Sequence, residues 1–137
     1  MTHSYLSSID SAPQWPVRVF PPEAASVPAA RHFLRECLEP HVAPDVVGTA
    51  ELLVSELVTN AVVHAGSVCF LHLETDRSGM MRVAVEDSAL KPPEPRQAGT
   101  GDANGRGLAL VEMLASEWGH YPVAAGGKVV WFSVPEG

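Results

Sequence analysis

The stretch from Pro44 to Gly66 constrains this chain most, because one helical pattern runs through it unbroken and then stops. At about 100° per residue, Leu53, Val54, Leu57, Val58, Ala61, Val62 and Ala65 cover one broad face. A helix so apolar on one side needs a second layer to cover it. Pro44-Asp45 opens the pattern, and Gly66 ends it, since glycine accepts the left-handed turn that follows a helix. The period then changes to two. Residues 67–74 and 80–87 are β-rich runs joined by Asp76-Arg77-Ser78-Gly79, which reads as a hairpin.

The other elements arrange themselves around that helix and hairpin. Residues 15–20 (WPVRVF) form an opening strand, placed at a sheet edge because Pro16 cannot donate to a ladder. From Ser26 a shorter helix shows Val27, Ala30, Phe33, Leu34 and Leu38 on one face, with Ser26 as N-cap candidate, Pro28 in the first turn and Pro40 closing it. Residues 88–104 are Pro- and Gly-rich with no hydrophobic period; a loop of 17 residues inside a compact domain is usually functional or disordered. A third helix is expected from about Gly105, with Leu108, Val111 and Leu114 on its apolar face. Two closing strands, 118–121 and 128–134, flank the turn Ala124-Ala125-Gly126-Gly127. This order predicts an α+β fold: a two-layer α/β sandwich with a mixed, mostly antiparallel sheet and helices on one face. Residues 1–14 read as a flexible N-terminal tail and residues 15–137 as one domain.

Charge narrows the function. A net charge of −7 over 137 residues argues against coating DNA or RNA, which takes clustered Lys and Arg. It does not argue against a nucleotide, which backbone amides, a helix dipole and a metal ion can hold. Cys37 and Cys69 both lie among apolar residues and read as buried thiols in a reducing compartment. No run of about 20 consecutive apolar residues stands out as a membrane span, and the N-terminus lacks the basic start and apolar run of a signal peptide. The expected location is cytoplasmic, with no membrane partner.

Three features carry chemistry. Glu56, Asn60 and His64 step along one margin of the long helix at four-residue intervals. A carboxylate and a carboxamide one turn apart suit a magnesium ion that leans on substrate phosphates, with the carboxylate free to accept a proton; a solvated polar stripe is the plain alternative. The apolar run Val83-Ala84-Val85 ends in Glu86-Asp87. An Asp there can accept from an exocyclic amine, which adenine has and guanine lacks at that position, or can simply start a turn. Last, residues 99–111 (GTGDANGRGLALV) place glycines just before a helix, where backbone N–H groups and the helix dipole can cradle phosphate. It is neither a Walker A nor a Rossmann loop, and a plain linker is the competing reading.

Taken together, the order and spacing of these features resemble the GHKL (Bergerat-fold) ATPase and kinase superfamily. More narrowly, they resemble its small anti-sigma-factor serine/threonine kinases and ATP-binding regulators of actinomycete type. The resemblance runs from about Trp15 to Val134. Glu56-Leu57-Val58-Thr59-Asn60-Ala61 matches the N box, Glu86-Asp87 the first glycine box, Gly105-Arg106-Gly107-Leu108 the second, and Lys128-Val129-Val130-Trp131-Phe132 the closing strand. It implies Glu56 as general base, Asn60 as Mg²⁺ ligand and Asp87 as adenine acceptor. It also implies residues 88–104 as an ATP lid and Gly105, Arg106, Gly107 and Leu108 as the phosphate-binding helix start. His64 falls where this subgroup often has His and takes a minor role. Two positions depart from the pattern: Ala89 replaces a glycine, and Val129 stands where a Thr often helps bind adenine, a loss of about 1 kcal/mol in typical hydrogen-bond terms.

The resemblance thus implies a cytoplasmic regulator that binds ATP and Mg²⁺ and phosphorylates a STAS-domain anti-sigma-factor antagonist, sequesters a sigma factor, or does both, with a homodimer as one assembly. The competing expectation is a non-catalytic interaction module that keeps the fold with weak or no ATP binding.

Overall fold

The computed structural model describes residues 17–75, 79–88, 114–123 and 126–135. After β1 (Arg18–Phe20) come helices α1 (Ser26–Leu38) and α2 (Pro44–Thr59), and α2 runs on into a wider π-helical turn, Asn60–His64. Strands β2 (Cys69–Thr75), β3 (Met80–Asp87), β4 (Glu117–Pro122) and β5 (Lys128–Pro135) complete the described elements. The strand order is β1-β2-β3-β5-β4, and every neighbouring pair is antiparallel. The expected α+β sandwich stands, with an antiparallel sheet.

Strand alternation decides where the core lies. Register sets Leu71 opposite Val85 and Val85 opposite Val130, so these side chains share one face of the sheet. On that face Leu71, Met81, Val83, Val85, Val130, Phe132 and Val134 join Leu53, Val54, Leu57 and Val58 of α2 and Phe33, Leu34 and Leu38 of α1 in one buried cluster. Leu53 is fully enclosed; truncating it to Ala would cost about 2–5 kcal/mol through lost transfer energy and an imperfectly closed cavity. By length and composition the run Pro44–His64 does reach membrane-span proportions, with a mean hydropathy of 1.5. Most of its apolar residues, Leu52 and Val63 excepted, nonetheless join the buried cluster beneath the sheet, so it is the core helix of this domain.

Several expectations shift in detail. Ser26 is not the cap of α1: Ala25 holds that place and makes no side-chain cap bond, while the Ser26 hydroxyl donates to the Pro21 carbonyl at 2.7 Å. The entering chain bends back on itself there, and the hydroxyl reaches a carbonyl instead of a helix N–H. The opening strand is described only as Arg18–Phe20. Cys69 is buried as expected, but Cys37 is only half-buried. Leu114 is helical but exposed, whereas Leu108 and Val111 lie outside the described residues, as do the 1–14 tail and most of the 88–104 loop.

Candidate functional site

The site lies where α2 ends and β3 ends, and the chain path itself brings the two together. Gly66, at φ +64°, turns the chain out of the helix, and three residues later β2 starts with Cys69, paired directly with Asp87. Ser67 locks this corner. Its hydroxyl donates to the Val68 carbonyl at 2.6 Å and accepts from the Ser88 amide at 2.9 Å, and Ser88 Oγ stands 3.0 Å away. The C-terminal end of the long helix and the residue that follows Asp87 are thereby tied side by side.

Asn60 is the first residue of the π-helical turn. Its carbonyl accepts from the Ala65 amide at 2.9 Å, a five-residue span. Such wide turns inside α-helices occur frequently at functional sites. Its side-chain Oδ1 is buried and has no hydrogen-bond partner among the described residues. Leaving a buried acceptor unmatched costs about 1–3 kcal/mol, and an orphaned oxygen of this kind suits a hard cation or an ordered water. Magnesium prefers oxygen, keeps several waters and needs few protein ligands. Asn60 therefore fits that ion. Glu56, one turn earlier, is half-buried and His64 is exposed. The Thr59 hydroxyl, which lies between them in sequence, is taken up by the Ser55 carbonyl at 2.6 Å.

Asp87 closes β3 and is 6% exposed. Across the sheet its Cα partner is Lys128, whose Nζ donates to Asp87 Oδ2 at 2.9 Å. Gly127 makes that approach feasible: at φ +102°, a Cβ there would collide with the Asp87 carbonyl oxygen and come within 2.8 Å of Ser88 Cα. On the other side of Asp87, burial pushes the Cys69 thiol up to about 12, and the Asp87 charge adds to the shift.

Register corrects one position. Val129, expected at the adenine-side place of the closing strand, pairs with Glu86; strand alternation turns both away from Asp87, onto the opposite face of the sheet. The residue that meets Asp87 is Lys128, which spacing alone did not single out, and only the pairing of β3 with β5 reveals it. Ser67 was likewise missed, its sole signal being its place just after a helix-ending glycine. Gly105, Arg106, Gly107, Leu108 and Ala89 lie outside the described residues. One concavity among the described residues is lined by His72, Glu74, Arg82, Ala84, Tyr121 and Trp131 and another lies between α1 and α2; neither of these includes Asn60 or Asp87.

A buried carboxylate at a strand end, an orphaned carboxamide oxygen at a helix end and a hydroxyl lock at the corner that joins them are set in an α+β sandwich. The chain matches the model of the histidine kinase-like ATPase domain over residues 20–134 and belongs to that family, within the GHKL superfamily. Among the similar solved structures are two from one protein. Against the Erythrobacter litoralis EL346 blue-light activated histidine kinase the identity is 29% and the TM-score 0.53, covering 69% of this chain and 31% of that one. Against the histidine kinase domain from the same protein they are 30% and 0.50, covering 66% and 44%. This chain thus spans less than half the length of either relative. No curated protein matches it.

Proposed function

We propose that this chain binds ATP with Mg²⁺ and transfers the γ-phosphoryl group to a serine or threonine of a partner protein. The observation that carries the reading is Asn60 Oδ1, buried and without a partner among the described residues, one turn beyond Glu56. In this reading Asn60 supplies the protein oxygen for the metal, and Asp87 accepts from the adenine amine. Glu56 takes the proton from the attacking hydroxyl. Bound magnesium would neutralise phosphate charge as the phosphoryl group leaves; the chain's own work is to orient the base, the phosphates and the acceptor. The expected partner is a STAS-domain antagonist, with sigma-factor sequestration as an accompanying activity.

Calorimetric titration with ATP, ADP and GTP, with and without magnesium, tests the site. Adenine-selective, magnesium-dependent binding is expected. Asn60→Ala should lose the magnesium dependence and keep the fold, and Glu56→Ala should retain ATP but lose phosphoryl transfer. Failure of the intact protein to bind at millimolar nucleotide would leave a docking module, with its partner to be found by pull-down.

A further inference from the structure

The Asp87–Lys128 pair presents a carboxylate acceptor and an ammonium donor side by side, 2.9 Å apart, at the end of the sheet beside the long helix. Both side chains are largely enclosed, 6% and 13% exposed. An ammonium carries three donors and no acceptor, and one donor is directed at Asp87 Oδ2. The Watson–Crick edge of adenine has the complementary order, an amine donor adjacent to the ring nitrogen N1, an acceptor.

We propose that Lys128 is a base-reading residue: while Asp87 accepts from the exocyclic amine of adenine, Lys128 donates directly to N1. The proposal rests on the nucleotide-binding reading above and assigns the chemistry of its base pocket. The rival arrangement has Lys128 as a competitor that must leave Asp87 before the base can enter. It would require separating a buried ion pair, which is strongly unfavourable; reading N1 leaves the pair intact. Hypoxanthine and guanine present an acceptor at position 6 and a donor at N1. They meet the pair in reversed order and are rejected unless they turn over.

The test compares the affinity of the intact chain for ATP and for 1-deaza-ATP, in which a C–H replaces N1, in magnesium buffer. The native protein should prefer ATP by about tenfold, the worth of one hydrogen bond from a charged donor. Lys128→Met should bind ATP about tenfold more weakly and no longer tell the two nucleotides apart. Lys128→Gln, which keeps a neutral donor, should retain part of the preference. Equal affinity of the native protein for both nucleotides overturns the role of Lys128, and this measurement needs no variant to fold. Tighter ATP binding by Lys128→Met overturns it as well, in favour of the competitor. If the folded native protein binds neither nucleotide, the nucleotide-binding reading itself fails, a result distinct from loss of discrimination.

Discussion

Two ion pairs of similar length sit in opposite surroundings. Arg35 of α1 grips Glu51 of α2 with two bonds, Nε to Oε2 at 2.7 Å and Nη2 to Oε1 at 2.9 Å, and the arginine is 51% exposed. Lys128 makes one described bond to Asp87, at 2.9 Å, within the sheet layer. By bond count the first pair looks stronger. Surroundings reverse that ranking. Water competes for Arg35 and salt screens it, although Glu51, chiefly through its hydrogen bonds and then through its charge, still raises the pKa of the guanidinium. Asp87 and Lys128 have surrendered most of their hydration, so water and salt screen their attraction far less. A fold gains little stability from such a pair compared with well-packed apolar residues. In the proposed reading, its role at the strand end is ligand recognition rather than stability.

The sharpest way to break this contrast is to remove one member of each pair. Lys128→Met strips the ammonium from a buried carboxylate and should lower unfolding free energy by about 3–5 kcal/mol in urea titration. A change no larger than that of Arg35→Ala would show that burial is not the difference. Gly127→Ala tests the backbone that lets Lys128 approach. Positive φ and the collision with Asp87 together should cost about 2 kcal/mol, with weaker nucleotide binding as a second readout.

Alkaline titration probes the same corner from Cys69. Its folded pKa, about 12, lies above the ordinary thiol value of 9.0, so the folded state holds the proton more tightly. The resulting stability is fully present below pH 9 and is lost as pH rises from there toward about 12. Cys69→Ala should flatten this part of the stability–pH curve, and an unchanged slope would assign the loss to other groups. A thiol-alkylating reagent at pH 8 should accordingly modify half-buried Cys37 before Cys69. The smallest effect belongs to Arg35→Ala, whose shift in urea midpoint should be slight and should shrink further in 0.5 M salt.

Much of the fold was legible in local pattern. The period of α2, its stop at Gly66 and the alternation of residues 80–87 each depend on neighbours within a few positions, so short-range spacing was enough to place them. Asn60 and Glu56 could be named from helix spacing, and Asp87 from its place at the end of an apolar strand. The cap of α1 escaped because the Ser26 hydroxyl had a nearer acceptor in the folded-back chain, the Pro21 carbonyl.

By itself, then, the sequence determined the elements, their order and which of their ends carry polar residues. Tertiary structure alone decided which of those residues meet. Lys128 is 41 positions from Asp87, and strand register separates it from Val129, its neighbour, by a whole face of the sheet. A one-residue change of register reverses every side chain. That choice is made by packing the apolar faces of β3 and β5 against α2, a long-range constraint that no local window contains.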